Sequence, residues 1–202
     1  MVKAAIAVVD DDDAVRISTC ALLESAGYVP IAFETGDVFL QEMDGSYGAI
    51  LLDVRMPGSD GVEVLKKLKA GHFNGPILML SGHGDIALAV QAMRLGALDF
   101  LEKPYDAEDL LERLDRALNN QSSAAITSFD EKAAELLNSL TPRQLDVLKA
   151  IVSGFPTKVI AYKLGLSPRT VDAYRAQLLE RLRVRNTAEA VKVALMGGLD
   201  CA

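Results

Sequence analysis

Five polar side chains of this chain come directly after short apolar runs, at positions where they could meet. Asp10 and Asp11 follow the first such run, and Asp53 closes a later one. Ser81 closes the next, and Lys103, itself followed by proline, comes after the last. If the runs are strands of a parallel sheet, the loops that follow them emerge at one edge. The five side chains are therefore predicted to converge there.

Three carboxylates in one place repel one another unless a cation joins them. Oxygen ligands of this kind suit a hard divalent ion, which predicts Mg²⁺. With the ion bound, Asp53 could attack a phosphoryl group as a nucleophile, while Lys103 and the Ser81 hydroxyl help neutralise its oxygens. Taken singly, each residue has an ordinary alternative, since the acidic run Asp10–Asp13 is also typical of a solvated helix start. Their joint occurrence in this order favours the site.

The elements that would position these residues are short strands alternating with amphipathic helices over the first 120 residues. Five non-alternating apolar runs predict buried strands, at Ala4–Val9, Tyr28–Phe33, Ala49–Leu52, Pro76–Leu80 and Leu98–Leu101. Helical patterns lie between them, at Ala14–Ala26, Gly36–Glu42, Gly61–Leu68, Ile86–Arg94 and Ala107–Leu118. Asp13 and Asp106 are the predicted N-caps of the first and fifth helices. This alternation predicts an α/β fold with a doubly wound five-stranded parallel sheet.

The net charge of −7 is distributed unevenly along the 202 residues. Residues 1–120 hold ten basic and twenty acidic side chains, whereas residues 140–202 hold ten basic and five acidic ones. An acidic N-terminal part and a basic C-terminal part predict two domains with different partners, and a small positive domain suits nucleic-acid binding. No apolar stretch has the length of a membrane span, and two distant cysteines make a disulfide framework improbable. We therefore expect a cytoplasmic protein without membrane partners.

Several motifs of the first part resemble bacterial two-component response regulators of the FixJ/NarL type. The matching segments are Val8–Asp11, Leu52–Gly58, Ser81–Asp85 and Asp99–Pro104. The resemblance implies a flavodoxin-like receiver domain that assists its own phosphorylation and dephosphorylation rather than acting as an enzyme on another substrate. Asp53 would accept a phosphoryl group from the phosphohistidine of a cognate sensor histidine kinase.

The same resemblance implies roles for the neighbouring residues. Mg²⁺ would be held by Asp11, Asp53 and the main-chain carbonyl of Arg55, with Asp10 assisting. Ser81 stands where the family has a hydroxyl residue, and Phe100 stands at the position of the aromatic side chain that switches with it. The bond between Lys103 and Pro104 is expected to be cis.

The chain after residue 119 changes in character. Residues 119–135 are predicted to be a linker, either irregular or a helical extension of the fifth helix, between a receiver domain at 1–118 and an all-α domain at 136–202. Four helices are predicted there, at Pro142–Val152, Pro156–Leu164, Ser167–Leu182 and Ala188–Met196, with Thr187 capping the last. Gly165 forms the corner of a helix-turn-helix whose second helix would enter the major groove.

The sequence motifs of this second part resemble those of the LuxR-type four-helix DNA-binding domain. Matching segments are Leu140–Gln144 and Ser167–Val171, together with Gly154, Lys158, Ile160–Ala161 and Leu164. Two residues depart from the family: Gln144 stands where Glu is usual, and Tyr174 stands where many members have His. Base preference is therefore not carried over from the family.

Six residues are predicted to contact DNA. Long cations suit phosphates, which indicates Lys158, Arg169 and Arg175. Thr170, Val171 and Tyr174 are predicted to face base edges and thymine methyl groups, although Val171 is also a predicted core residue. A charged helix face is otherwise usually only solvated, so a small protein-interaction module is the alternative.

These expectations together describe a response regulator in which phosphorylation of Asp53 controls dimerisation and sequence-specific binding to promoter DNA. Its expected partners are a sensor histidine kinase, double-stranded promoter DNA, a second copy of the chain and, as a further candidate, RNA polymerase. The main alternative is a phosphate sink or protein-interaction regulator without specific DNA binding. A Mg²⁺-dependent phosphoaspartate hydrolase fits less well, because it needs a carboxylate two residues after the nucleophile, where Arg55 stands.

Overall fold

A five-stranded, all-parallel sheet forms the centre of the first half of the chain. In this computed structural model its strands are β1 (Ala5–Val9), β2 (Val29–Phe33), β3 (Ala49–Asp53), β4 (Ile77–Ser81) and β5 (Asp99–Glu102). Their order across the sheet is β2-β1-β3-β4-β5. Each strand begins and ends within one residue of its prediction. The predicted doubly wound α/β fold is therefore confirmed, and the order is that of flavodoxin-like sheets.

The structure describes residues 4–82, 86–119 and 125–199. Within these ranges the helices are α1 (Asp13–Ser25), α2 (Gly36–Glu42), α3 (Gly61–Ala70), α4 (Ile86–Arg94), α5 (Ala107–Asn119), α6 (Ala125–Asn138), α7 (Pro142–Val152), α8 (Thr157–Leu164), α9 (Pro168–Leu182) and α10 (Thr187–Met196). Two compact units contain them. The first comprises the described residues up to 82 and from 95 to 119, and the second those from 86 to 94 and from 125 onward.

Alternate strand residues bury apolar side chains on each face of the sheet in the first unit, as a strand's two-residue period requires. On one face, Val8 and Leu51 form a buried cluster with Leu23 of α1 and Leu114 of α5. Strands β3 and β4 are buried along their whole length. Burial on both faces explains why their sequences are continuously apolar rather than alternating.

The second unit is all-helical and has its own apolar core. Val147 of α7, Val171 of α9 and Val191 of α10 are fully buried in it. Val90 of α4 belongs to the same buried cluster, so α4 is part of this compact unit. The predicted bounds of the first domain, residues 1–118, include α4 and stay a prediction. Among the described residues, no helix is both long enough and apolar enough to cross a membrane.

Two predicted helix caps are wrong by one residue, and one is correct. The N-cap of α1 is Asp12, whose side chain accepts hydrogen bonds from the backbone N–H groups of Ala14 and Val15. Asn186, not Thr187, caps α10 by accepting from the N–H of Glu189. Asp106 accepts from the first turn of α5, as predicted. In both shifted cases the residue assigned as the cap is instead the first helical residue, because the preceding side chain reaches the orphan N–H groups better.

Candidate acidic site and candidate nucleic-acid interface

Three aspartates meet at the carboxyl edge of the sheet. Asp10 follows β1 and is fully buried, Asp53 ends β3 with 4% of its surface exposed, and Asp11 is exposed. Each of the three offers a carboxylate oxygen within 4.8 Å of those of the other two. The three aspartates therefore converge, as predicted.

Lys103 joins two of these carboxylates. Its Nζ donates to Oδ2 of Asp10 and to Oδ1 of Asp53, at 2.6 Å each. Burial raises the pKa of Asp53, while the hydrogen bond and positive charge of Lys103 oppose that rise. Burial alone lowers the pKa of Lys103, but the hydrogen bonds to the two aspartates outweigh it, so that its pKa lies above the ordinary value. The ammonium group therefore stays charged between the two carboxylates.

Main-chain contacts fix the position of Asp53. The backbone N–H of Arg55 donates to Oδ2 of Asp53 at 2.9 Å. The amino end of α3 lies directly against this segment, since the N–H of Gly61 donates to the carbonyl of Val54 at 3.0 Å. A Cβ atom at Gly61 would lie 2.0 Å from the carbonyl oxygen of Asp53. Only glycine lets α3 approach the end of β3 this closely.

Arg16 of α1 also belongs to the acidic loop, and the sequence reasoning missed it. Its Nη1 donates to the carbonyl oxygen of Asp10 at 2.6 Å, and Nη2 forms an ion pair with Asp13. The N–H of Asp12 donates to Oδ1 of Asp10 at 3.1 Å. The signal available in the sequence was the spacing, because an Arg three residues after an Asp lies beside it on a helix. Arg16 thus holds the main chain of the loop that carries Asp10.

The donor set of this site fits Mg²⁺. Asp10, Asp11 and Asp53 offer the clustered carboxylate oxygens that the ion prefers. The main chain of Arg55 lies next to them through its hydrogen bond to Asp53. The exposure of Asp11 leaves the cluster open to solvent on one side, as an ion that retains water ligands needs.

Ser81 and Phe100 lie on the neighbouring strands β4 and β5, where Phe100 pairs with Met79, two residues before Ser81. Ser81 ends β4 and is fully buried, and its carbonyl oxygen accepts from the N–H of Lys103 at 2.6 Å. The Phe100 ring in β5 is 5% exposed. The bond between Lys103 and Pro104 is cis, as predicted. The motif residues 83–85 lie outside the described residues.

A helix-turn-helix makes up the centre of the second unit. Helix α8 ends at Gly165, whose φ of 63° is in the left-handed region and turns the chain into α9. Ser167 caps α9 by accepting from the N–H of Thr170, and Pro168 is its first residue. Gln144 completes a capping box at α7 with Thr141 and also donates to Gln177 of α9 at 3.4 Å. The departure from Glu at this position thus keeps a structural role.

The predicted DNA contacts of α8 and α9 fall into different environments. Lys158 and Arg169 are exposed. Thr170 is half-buried and shares a 2.7 Å hydrogen bond with the Ser167 hydroxyl at the cap. Tyr174 is half-buried and packs against the core, and Val171 is 0% exposed. A side chain without exposed surface has none to offer a base, so the expectation of a base contact from Val171 is corrected here to a core role.

Arg175 is held inside the second unit. Its Nη1 donates to Oγ1 of Thr157 at the start of α8, at 2.8 Å, and its Nε is buried without a hydrogen-bond partner among the described residues. Burial lowers the pKa of Arg175, and the charge of Asp172 opposes this. The side chain therefore ties α9 to the start of α8.

Replacing Thr157 with valine is expected to weaken the packing of α8 against α9 by about 1 kcal/mol, because a half-buried guanidinium loses its hydrogen-bond acceptor. Hydrogen exchange of the α8 amides would measure this loss. In an Arg175→Met background the same Thr157 substitution should cost almost nothing. Equal losses in the two backgrounds would refute the tie between these side chains.

Two family models cover most of the chain. Residues 6–115 match the response regulator receiver domain, and residues 138–194 match the bacterial regulatory proteins of the luxR family. The first match takes in the acidic site, and the second takes in α7, α8 and α9.

Two relatives and two solved structures are similar to this chain over nearly its whole length. The transcriptional regulatory protein FixJ of Bradyrhizobium diazoefficiens is 40% identical over 199 residues, covering 98% of this chain and 97% of the relative. The transcriptional regulatory protein TdiR of Thauera aromatica is 35% identical, covering 96% and 86%. Full-length FixJ from B. japonicum has a TM-score of 0.59 at 38% identity over 100% of both chains. The response regulator StyR has a TM-score of 0.55 at 34% identity, covering 95% and 98%.

Proposed function

The chain belongs to the FixJ-like two-component response regulators, which regulate transcription through a receiver domain and a LuxR-type DNA-binding domain, and we propose that Asp53 is its phosphorylation site. One observation carries this proposal: Asp53 lies at the carboxyl end of the central strand β3, where it forms an ion pair with Lys103 and clusters with Asp10 and Asp11. This family consists of transcriptional regulators, not of enzymes.

The proposed reaction is phosphoryl transfer from a phosphohistidine of a sensor histidine kinase. An Asp53 oxygen forms the bond to phosphorus while the P–N bond breaks, and its electron pair returns to the histidine ring. Lys103 and the Ser81 hydroxyl stabilise the phosphoryl oxygens. Mg²⁺, held by Asp11, Asp53 and the Arg55 carbonyl with Asp10 nearby, supplies charge neutralisation when bound. In this sense the receiver assists its own phosphorylation and the later hydrolysis of the phosphoryl group from Asp53.

The proposed output is a shift in population between two states of the chain. Phosphorylation, with Ser81 and Phe100 as the switch pair, favours a homodimer that binds two half-sites of promoter DNA, and two linked contacts raise affinity without new base contacts. RNA polymerase is a further partner that such a regulator can engage. Because its proposed partners are promoter DNA and a sensor histidine kinase, we propose that the protein acts in the cytoplasm.

Intact-mass spectrometry tests the phosphorylation site. The chain is incubated with a small-molecule phosphodonor, with Mg²⁺ or with a chelator, beside Asp53→Asn. We expect one added phosphoryl group on the wild type with Mg²⁺ and none on Asp53→Asn. Asp60→Asn is the matched control, because Asp60 is an exposed N-cap of α3 and should leave the modification unchanged. A phosphoryl group on Asp53→Asn would contradict the proposal.

Lys158 and Arg169 are the exposed cations that we propose for phosphate contacts. Replacing either with alanine is expected to lower DNA affinity to a similar degree on all sequences and to reduce the slope of log affinity against log salt by about 0.9. Lys132→Ala is the control, because Lys132 is exposed on α6 and should leave the slope unchanged. Titrations at several salt concentrations measure it. A slope equal to that of the wild type in both variants would remove these residues from the interface.

A selection of bound sequences from random DNA decides between this function and the alternative of a phosphate sink. A recovered motif supports a sequence-specific regulator. A chain that accepts the phosphoryl group but recovers no motif would favour the sink.

A further inference from the structure

The outward face of α9 is defined by its exposed residues. At 100° per residue on a helix, the buried residues Val171, Leu178 and Leu182 cluster on one side. The exposed residues lie away from that side, and they are Pro168, Arg169, Asp172, Ala173, Ala176, Gln177, Glu180 and Arg181. This set is the exposed surface that α9 can present to a DNA groove, beside the half-buried Thr170 and Tyr174, whereas Val171 has no exposed surface.

The first half of this face is suited to close contact with bases. In a helix-turn-helix, the N-terminal residues of the second helix contact base edges. Here those residues are Arg169, Asp172 and Ala173, with Ala176 one turn further on. The two alanines are small, which lets the helix backbone approach the floor of the groove. Any longer side chain beside them is then close to the base edges.

Asp172 is the unexpected member of this face. An acidic side chain in a DNA-facing position is repelled by phosphates and lowers non-specific affinity. Its carboxylate makes no hydrogen bond or salt bridge within the described part of the chain, although its charge acts on Arg175 in the next turn. Asp172 is therefore free to contact a base.

The chemistry of a carboxylate determines which base it can contact. An ionised Asp only accepts hydrogen bonds. In the major groove, guanine presents two acceptors, thymine an acceptor and a methyl group, and adenine an acceptor beside its amino donor. Cytosine alone presents just a donor, its N4 amino group. A carboxylate thus meets an opposing lone pair at every base except cytosine.

We propose that Asp172 is a specificity-determining residue that selects cytosine at one position of each DNA half-site. The proposal rests on the function proposed above, since it needs α9 to enter the major groove. It assigns to Asp172 an attractive contact with one base and a repulsive one with the other three. Both contacts increase discrimination between bases, and the repulsive one also lowers affinity for DNA in general.

Selection from random DNA by the full-length chain, treated with Mg²⁺ and a small-molecule phosphodonor, tests the proposal. We compare wild type, Asp172→Asn and Glu180→Gln. Glu180 lies on the same face, about 12 Å further along the helix, so its variant removes the same charge away from the N-terminal turns. For the wild type we expect one cytosine per half-site that is preferred over other bases by a factor of about 5 to 100.

Asp172→Asn should lose this cytosine and favour adenine there, because a side-chain amide pairs with the adenine edge. Glu180→Gln should keep the wild-type motif. The same motif for wild type and Asp172→Asn would overturn the proposal and leave the proposed function standing. A wild-type chain without any motif would overturn the proposed sequence-specific function itself, and this inference with it.

Discussion

Replacing Lys103 with methionine is expected to lower the free energy of opening of the sheet by about 3 kcal/mol in Mg²⁺-free buffer. The substitution leaves the buried carboxylates of Asp10 and Asp53 without the cation that lies 2.6 Å from each. Removing one partner of a buried ion pair leaves an uncompensated charge, which is strongly destabilising. Hydrogen exchange of the β1 and β3 amides measures the free energy of this opening.

Mg²⁺ distinguishes this cause from a loss of packing. Since the ion would neutralise the same carboxylates, saturating Mg²⁺ should restore most of the lost protection in Lys103→Met and change the wild type less. Lys66→Met is the matched control, because Lys66 is exposed on α3, and its protection should equal that of the wild type. If Lys103→Met and wild type were equally protected without Mg²⁺, Lys103 would not be the cation that stabilises the site.

Replacing Gly61 with alanine is expected to destabilise the first unit by about 3 kcal/mol, at the upper end of the usual cost of overpacking. The added Cβ would lie 2.0 Å from the carbonyl oxygen of Asp53 and 2.9 Å from Cα of Val54. Both neighbours are backbone atoms, so neither can rotate away, and either α3 or the end of β3 must move. We therefore also expect slower phosphorylation of Asp53, followed by intact mass.

Gly82→Ala is the control for Gly61→Ala. A Cβ at Gly82 meets nothing within 4 Å. The free energy of unfolding of Gly82→Ala should therefore stay within about 1 kcal/mol of that of the wild type. The same hydrogen-exchange measurement on β3 applies to both variants. A Gly61→Ala chain as well protected as Gly82→Ala would show that α3 does not need its close approach to Asp53.

Much of the receiver fold is readable in the sequence because its strands are buried on both faces. Continuous apolar runs bounded by Gly, Asp or Pro located β1, β3 and β4 within one residue. The parallel arrangement then placed Asp10, Asp53 and Lys103 at a common edge without any knowledge of distances. What the sequence cannot supply is the contact itself, namely that Lys103 lies between the two aspartates.

Short-range hydrogen bonds explain the errors near helix ends. In a run of four aspartates, composition alone does not decide which one caps α1, and only the backbone conformation of Asp12 selects it. Arg16 was missed because its partner is the carbonyl oxygen of Asp10. Every residue has a main-chain carbonyl, so the spacing of Asp13 and Arg16 could have indicated their ion pair but not the contact of Arg16 with Asp10.

The error at Val171 was avoidable. Val171, Leu178 and Leu182 were recognised as core residues from their spacing, and the helical period then places Asp172, Ala173 and Ala176 on the opposite side. Val171 was nevertheless predicted to contact a base, because its apolar side chain suits a thymine methyl group; the base contacts of Thr170 and Tyr174 stay predictions. The phase of the helix, once fixed by the core, is the stronger guide to its binding face.

The solution mass of the full-length chain tests the central claim most directly. Sedimentation is measured with Mg²⁺, with and without a small-molecule phosphodonor, for the wild type and for Asp53→Asn. We predict that the wild type changes from the 21.7 kDa of one chain to twice that mass only when phosphorylated, and that Asp53→Asn remains a monomer. A wild-type chain that carries the phosphoryl group and stays a monomer would contradict phosphorylation-driven dimerisation.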